Sequence, residues 1–269
     1  MIVIYQIIKA IPCHWLSHHS ILINQSGQLK TLMLRSTRYL QLRQEEQLLK
    51  TIKNQPFVTY GLLGIMIIVF IIMTINGGTT DSYNLVLFGA KYNPLIRAGE
   101  YWRLFTPMFI HIGFTHILMN SITLYFIGPW VERFFGHWRY LLLFLLSGVM
   151  GNLASFAFSP PNISAGASTA IFGLFGAFMM LGESFSENQA IRALARNFLL
   201  FVVLNIGTDL FVSGIDIYGH LGGLVGGFLL GYVLGVPSAK VSTPKRIIAA
   251  ITVIIVALAL FRMGMTNQF

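Results

Sequence analysis

Two residues with complementary chemistry lie near the start of two separate apolar segments of this sequence. Ser168 lies in the run Gly-Ala-Ser-Thr, and His220 follows 52 residues later in the run Tyr-Gly-His-Leu-Gly-Gly. An apolar segment accommodates a serine easily, whereas an ionisable histidine inside a membrane is costly and usually functional. A hydroxyl nucleophile and an imidazole base on neighbouring helices can hydrolyse an acyl bond through a covalent intermediate. The pair therefore predicts hydrolysis within a bilayer.

The composition is that of a membrane protein. Of the 269 residues, 55% are hydrophobic and only 10% are charged, and a soluble domain could not bury so much apolar surface. A window of about 19 residues finds seven apolar segments, which are 57–75, 114–130, 138–158, 168–182, 195–212, 218–235 and 246–263. The prediction is an all-α, polytopic membrane helix bundle.

The positive charges predict the orientation of this bundle. If residues 1–56 are cytoplasmic and the segments alternate, fourteen Lys and Arg fall on the inner side and four on the outer side. This asymmetry follows the positive-inside rule. The net charge of +9 is thereby explained by the lipid bilayer, and no nucleic-acid partner is predicted.

The N-terminal segment leaves two interpretations open. Residues 28–53 have the pattern of a basic amphipathic helix, which fits a position on the inner leaflet and a solvated cytoplasmic helix equally well. Cys13, His14, His18 and His19 cluster upstream, and an incidental cluster is favoured over a metal site. With one cysteine in the chain, no intramolecular disulfide can form.

The fourth segment is too short to cross the membrane completely. From Ser168 to Gly182 there are 15 residues, or about 22 Å of helix against roughly 30 Å of hydrocarbon. If Glu183 marks the inner interface, Ser168 lies below the outer surface and residues 162–166 are non-helical backbone at membrane depth. Such backbone is tolerated where it is buried in protein or lines a watery cavity. Ser168 would also lie at a helix N-terminus, whose free N–H groups stabilise an oxyanion.

Glycines in the sixth segment predict how the histidine approaches the serine. Gly219, Gly223, Gly227, Gly231 and Gly235 are each four residues apart, and such a smooth face allows two helix backbones to pack closely in lipid. The fourth segment offers small residues of its own as the counterpart. Strips of this kind also occur in membrane bundles that perform no chemistry.

Neighbouring side chains have two interpretations each. Phe172 shares a helix face with Ser168 and fits either a stacking partner for His220 or an ordinary core residue. Asp216 precedes His220 by four residues, and an N-cap of the sixth helix is favoured over a catalytic acid. His116 and Asn120 share a face of the second segment, where they fit oxyanion donors or helix–helix hydrogen bonds.

These residues resemble the motifs of the rhomboid family of intramembrane serine proteases. The family pattern has two histidines five residues apart followed by an asparagine, a Gly-x-Ser motif opening the fourth helix, and a histidine followed by glycines in the sixth. A Trp-Arg pair and a Gly-x3-Glu-x3-Gly pattern also correspond. The matching residues are Trp102, Arg103, His111, His116, Asn120, Gly128, Glu132, Gly136, Gly166, Ala167, Ser168, His220, Gly223 and Gly227.

The resemblance implies a role for each site residue. Ser168 would be the nucleophile and His220 the general base, forming a dyad without an acid. His116, Asn120 and the Ser168 backbone N–H would form the oxyanion hole. Supporting positions would be Phe172, Gly166 and His111, although on pattern alone His111 fits an interfacial loop histidine better.

The resemblance also implies an architecture and a partner. Residues 57–235 would form a rhomboid core of six transmembrane helices, after a cytoplasmic segment, 1–56, and before a linker with an additional transmembrane helix, 236–269. The substrates would be transmembrane or membrane-adjacent segments of membrane proteins, and no metal or cofactor would be needed. The expected location is the cell membrane of a bacterium, with the active site open to the extracytoplasmic side; the mitochondrial inner membrane is the alternative.

Three positions depart from the family pattern, and two other functions compete. Thr169, Phe172 and Gly219 stand where the family often has Gly, Tyr and Ala, and none of these changes removes an essential group. A catalytically silent rhomboid-like protein that binds membrane clients usually lacks the Ser or the His, and both are present here. A channel or small transporter would need polar residues along a through-path, whereas here they gather toward one side.

Overall fold

A computed structural model describes residues 55–159, 162–211, 214–237 and 241–267. The amphipathic helix predicted over 28–53 and the cysteine–histidine cluster lie outside the described residues. The helices are α1 (Phe57–Ile75), α2 (Ser82–Phe88), α3 (Asn93–Arg97), α4 (Gly113–Phe135), α5 (His137–Phe158), α6 (Ser168–Ser184), α7 (Gln189–Asp209), α8 (Ile217–Leu234) and α9 (Thr243–Thr266). Two 3₁₀ turns, Tyr101–Leu104 and Thr106–Phe109, precede α4.

Every predicted apolar segment contains a helix, so the all-α, polytopic bundle is confirmed. Five described helices, α1, α5, α7, α8 and α9, are long and apolar enough to cross a membrane. The helix α4 has 23 residues but carries more polar side chains. The helix α6 is apolar and has only 17 residues.

The core is centred on α6. Twelve of its 17 residues are buried, as expected for a helix that is apolar on every side and surrounded by protein. The helices α5 and α8 pack directly against it, and α4 and α7 pack around them. Of the seven helices that match the predicted apolar segments, α6 is therefore both the shortest and the most enclosed.

The predicted glycine face of α8 packs against α6. A Cβ atom at Gly223 would lie 2.0 Å from the Thr169 carbonyl oxygen, and one at Gly227 would lie 1.9 Å from that of Gly173. Real Cβ atoms do not approach oxygen so closely, so only glycine permits this backbone contact. Gly235 lies outside the face, because it follows the last residue of α8 with a φ of +64°.

The Gly-x3-Glu-x3-Gly pattern joins α4 to α1. The buried Glu132 carboxylate accepts hydrogen bonds from the Val58 N–H (3.1 Å), the Thr59 N–H (2.9 Å) and the Thr59 hydroxyl (2.7 Å). These N–H groups open α1 and have no partner within their own helix. A Cβ at Gly128 would clash with Thr59, so the glycine lets the two helices meet.

The long loop between α1 and α4 is structured rather than extended. Its buried Arg103 donates hydrogen bonds from Nη1 to the carbonyls of Val86 (2.7 Å) and Ala90 (3.1 Å), and its guanidinium lies 4.3 Å from the Trp102 ring. The Trp-Arg pair thus ties the loop together, while Trp102 remains half exposed.

The helices α7 and α9 lie at the periphery. The helix α7 buries only Ala195, Val202 and Asp209. The helix α9 packs on α5 and α8, with Gly264 placed against the Phe156 ring.

Candidate active site

The structure brings Ser168 and His220 into direct contact. Ser168 is the first residue of α6, and His220 lies in the first turn of α8. The Ser168 Oγ lies 2.8 Å from the His220 Nε2, which is a hydrogen-bonding distance for a nucleophile and its base. The close packing of α6 on α8 positions the two side chains, because both helices begin at the same end of the shared glycine face.

The Phe172 ring supports the imidazole from one side. The rings of Phe172 and His220 are stacked, with centroids 4.3 Å apart and planes 9° apart. Phe172 follows Ser168 by four residues, so one face of α6 provides both the Ser168 hydroxyl and this stacking surface. Stacking and the bond to Ser168 together restrict rotation of the imidazole.

A non-helical strand, residues 162–167, leads into Ser168. The Gly166 N–H donates to the Pro107 carbonyl (2.9 Å), and the Ala167 N–H donates to Nε2 of the buried His111 (3.3 Å). Burial, together with the neighbouring His116, lowers the pKa of His111 to about 3. His111 is therefore neutral at physiological pH and can accept this hydrogen bond, so it acts on the backbone next to Ser168.

Two polar side chains of α4 face the same strand. His116 and Asn120 line one cavity with Ser168 and His220. A Cβ at Gly166 would lie 2.6 Å from the His116 Cε1 and 3.4 Å from the Asn120 Nδ2, and Gly166 has a φ of +137°, which L-residues with side chains rarely adopt. The Asn120 Nδ2 is buried and has no hydrogen-bond partner among the described residues. Such an unpaired donor is available to a developing oxyanion.

Asp216 lies at the N-terminus of α8 and caps it. Its Oδ1 accepts from the Gly219 N–H (3.0 Å) and from the Ser159 hydroxyl (2.8 Å), and its Oδ2 accepts from the Ser164 hydroxyl (2.9 Å) and from Ser155. The carboxylate therefore joins α5, the strand before Ser168 and α8. Asp216 is therefore the helix cap that the sequence favoured. Among the described residues, its carboxylate makes no hydrogen bond to the His220 ring.

A fully buried lysine completes this cluster. The Lys91 Nζ donates to the Ser155 hydroxyl (2.8 Å), and the backbone of Lys91 pairs with Ser164 in an isolated antiparallel bridge. Burial lowers the pKa of Lys91 to about 8, against the opposing effect of the Asp216 charge. Burial raises the pKa of Asp216, but Lys91 and the hydrogen bonds to the carboxylate outweigh it, and the pKa lies below its ordinary value.

Asp209 was not among the site residues predicted from the sequence. This residue ends α7, and its Oδ2 lies 2.7 Å from the His220 Nδ1. The resemblance implied a dyad without an acid, whereas the structure places a carboxylate against the free nitrogen of the imidazole. An ionisable residue inside the fifth apolar segment was the available signal, because such residues are rare in membranes and usually functional.

The cavity that unites these groups has a volume of about 450 Å³. Its polar lining includes Ser168, His220, His116, Asn120 and Asp209. A nucleophile bonded to a base, beside a helix N-terminus and unpaired donors, is suited chemically to acyl transfer. Among the described residues, no group of three or more His, Cys, Asp or Glu side chains could hold a metal ion.

The fold and the site define a class: a multi-pass α-helical membrane protein with a serine–histidine pair in a cavity between its helices. The model of the rhomboid domain matches residues 98–237, so this chain belongs to the rhomboid family. Rhomboid protease GluP from Bacillus subtilis (strain 168) is 41% identical over 212 residues, which are 79% of this chain and 41% of GluP.

Other relatives have a similar level of identity. YdcA of the same bacterium is 35% identical over 185 residues, which are 68% of this chain and 90% of YdcA. RHOMBOID-like protein 4 from Arabidopsis thaliana is 40% identical over 151 residues, or 54% of this chain and 37% of that protein. The chain thus spans about two fifths of the length of GluP and RHOMBOID-like protein 4, and most of YdcA.

Proposed function

We propose that this protein is an intramembrane serine endopeptidase. The observation that carries the proposal is the 2.8 Å contact between the Ser168 Oγ and the His220 Nε2 in a cavity between membrane helices. The name of its relative GluP, a rhomboid protease, supports the same activity.

The reaction begins with proton transfer from the Ser168 hydroxyl to the His220 Nε2. The Oγ attacks the carbonyl carbon of the scissile peptide, and a tetrahedral oxyanion forms. When it collapses, the C–N bond breaks and the imidazolium returns its proton to the leaving amine. Water then hydrolyses the acyl-enzyme by the same two transfers and regenerates the Ser168 hydroxyl.

Three donors stabilise the oxyanion in this proposal. The Ser168 backbone N–H opens α6, where it has no hydrogen-bond partner within its own helix. His116 and Asn120 contribute side-chain donors from α4, and Gly166 leaves space in front of them. Phe172 and His111 act indirectly, through the imidazole and the strand before Ser168.

The substrates are transmembrane or membrane-adjacent segments of other membrane proteins. The catalytic core comprises residues 57–235, residues 1–56 are a cytoplasmic segment, and residues 236–269 add a linker and the helix α9. The protein lies in the cell membrane with its N-terminus in the cytoplasm, which agrees with the distribution of Lys and Arg. The cavity then opens on the extracytoplasmic side.

A client-binding protein without activity is the second candidate, since binding requires neither the hydroxyl nor the base. A small transporter is a further candidate, because the 450 Å³ cavity has polar walls, as the pathway of a transporter would. The contact between Ser168 and His220, with the stacked Phe172 ring, favours catalysis over both, because neither function needs an oriented imidazole.

One experiment separates these functions. The protein is purified in detergent, offered a fluorescent transmembrane substrate and labelled with a fluorophosphonate. We expect Ser168→Ala to abolish labelling and to reduce kcat by at least about 10³-fold. Ser184→Ala, at the other end of α6, is the matched control and should retain both. Cleavage and labelling that persist in Ser168→Ala would refute the proposal.

A further inference from the structure

A pair of arginines lies at the end of α7 that is remote from the candidate active site. Arg192 and Arg196 are both exposed and are four residues apart, so their side chains share one face of the helix. With Gln189 and Ala193 they line a cavity of about 270 Å³. Asp209, which lines the candidate active site, is at the other end of α7. The two guanidinium groups therefore concentrate positive charge on a surface that the site does not use.

No acidic side chain in the described part of the chain neutralises these arginines. None of the ion pairs found there includes Arg192 or Arg196. The Arg192 Nη1 donates to the Ser186 carbonyl at 3.4 Å, and the nearby Glu187 carboxylate accepts from the Ser186 hydroxyl at 3.5 Å. Like charges four residues apart destabilise a helix, so an anion from outside the protein would stabilise this pair.

The depth of Arg196 indicates where that anion lies. The helix α7 has 21 residues, about the number that crosses the hydrocarbon core. Arg196 follows the first residue, Gln189, by seven positions, or about 10 Å along the axis. A charged side chain at this depth is costly, and a long one extends to the interface to reduce that cost. Lipid phosphates lie at the interface, and a guanidinium binds a phosphate through two parallel hydrogen bonds.

The same face of α7 continues as an apolar surface. Leu199, Leu200 and Val203 follow Arg196 by three, four and seven residues, which is the spacing of neighbours on one helix face. Their side chains are 45%, 59% and 56% exposed. The face therefore has a basic end and an apolar length, and a phospholipid has the complementary order of a charged headgroup followed by acyl chains.

We propose that this face of α7 binds an anionic phospholipid. The headgroup phosphate pairs with the guanidinium groups of Arg192 and Arg196, and an acyl chain lies along Leu199, Leu200 and Val203. Charge complementarity favours an anionic lipid over a zwitterionic one, whose headgroup carries a compensating cation. In the proposed orientation the lipid belongs to the cytoplasmic leaflet. The binding site goes beyond the proposed proteolytic activity and does not depend on it.

Native mass spectrometry of the detergent-purified protein tests this site. Dioleoylphosphatidylglycerol is titrated into the protein, and the dissociation constant of the first bound lipid is measured. One basic side chain near a membrane surface changes the affinity about fivefold. We therefore expect about fivefold weaker binding in Arg192→Gln and in Arg196→Gln, and about 25-fold weaker binding in the double variant. Equal affinities of the wild type and the double variant would overturn the proposal.

Arg139→Gln is the matched control. Arg139 is an exposed arginine in the first turn of α5 and has no basic residue one turn away on either side. It is also remote from the active site, because the other end of α5 leads to Ser159 beside Asp216. We expect its dissociation constant to stay within about twofold of the wild type. A loss equal to that in Arg192→Gln would overturn the proposal, because it would indicate diffuse attraction to every arginine on this side.

The wild type provides a test that does not depend on the folding of the variants. Dioleoylphosphatidylcholine has the same chains without net charge, and we expect it to bind about tenfold more weakly. Equal binding of the two lipids would overturn the proposal. An excess of inorganic phosphate, which has no chains, should leave the phosphatidylglycerol bound, and its displacement would indicate a site for free anions instead. Ser168→Ala should bind the lipid as the wild type does, so a failure of the proteolytic proposal is distinguishable from a failure of this one.

Discussion

Lys91 is a lysine with no exposed surface, placed behind the strand that leads to Ser168. Its ammonium group donates to Ser155, and Asp216 accepts from the same hydroxyl. The loop before α3, the helix α5 and the N-terminus of α8 therefore meet at the Ser155 hydroxyl, which lies between two opposite charges. Leaving a buried polar or charged group without its partner is costly, so this cluster fixes elements that carry site residues.

The depressed pKa of Lys91 predicts a pH dependence of stability. The pKa is about 8 in the folded protein, against an ordinary value of 10.5, so between these values the unfolded chain binds more protons. Stability therefore increases as the pH rises from 8 to 10.5, by about 3 kcal/mol over the whole interval. Lys91→Met should reduce this slope in thermal unfolding measured in detergent.

The exposed Lys245 is the control for this measurement. Lys245→Met removes a lysine that is 60% exposed and should leave the slope of the wild type unchanged. Equal slopes for Lys91→Met and the wild type would contradict the assigned pKa.

Two departures from the family pattern explain each other. Thr169 is buried, and a Cβ at Gly219 would lie 3.1 Å from its Cγ2. The Thr169 side chain, next to Ser168, therefore occupies space that the absence of a side chain at Gly219 leaves free. The sequence identified both positions, but it could not pair them, because their contact depends on the rotation of α6 against α8.

At the scale of elements, the interface between α6 and α8 is packed too tightly to accommodate an added side chain at its glycines. We expect Gly227→Ala to lower the free energy of unfolding by at least about 2 kcal/mol, because its Cβ would overlap the Gly173 carbonyl and force the helices apart. Thermal unfolding in detergent measures this. Gly64→Ala in α1, where no atom lies within 4 Å of the new Cβ, should unfold near the wild-type temperature. Equal losses in both variants would contradict tight packing at Gly227.

The start of α6 was predictable, and the end of α7 was not. A segment too short for the bilayer indicated that the helix begins at Ser168 after non-helical backbone, and the structure agrees. No comparable argument from segment length indicated which helix the last turn of α7 would contact. Asp209 meets His220 through a tertiary contact between helices, and hydrophobic periodicity does not determine such contacts.

At the scale of the whole molecule, hydropathy predicted the seven helices because lipid requires every spanning segment to satisfy its own backbone. It did not predict the order of burial. The helix α6 is enclosed, α9 packs against α5 and α8, and α7 exposes most of its surface. These differences arise from side-chain packing, which a count of apolar residues does not record.

The exposure of α7 has a consequence for the lipid around it. With 21 residues, α7 is about 31 Å long and matches roughly 30 Å of hydrocarbon. A thinner bilayer is accommodated by helix tilt, and tilt displaces the ends of a helix more than its middle. Asp209 is at such an end, so the acyl-chain length of the surrounding lipid should change the rate of catalysis.

Proteoliposomes of graded chain length test this modulation. We expect kcat to be highest where the hydrocarbon thickness matches α7 and to fall severalfold in thinner bilayers, as tilt lengthens the Asp209–His220 contact. Asp209→Ala, which removes this contact, should respond much less to thickness, and a wild type that responds as little would contradict the idea. Because α7 faces mostly lipid, the hydrophobic thickness of the bilayer would thus help to set the rate of the reaction.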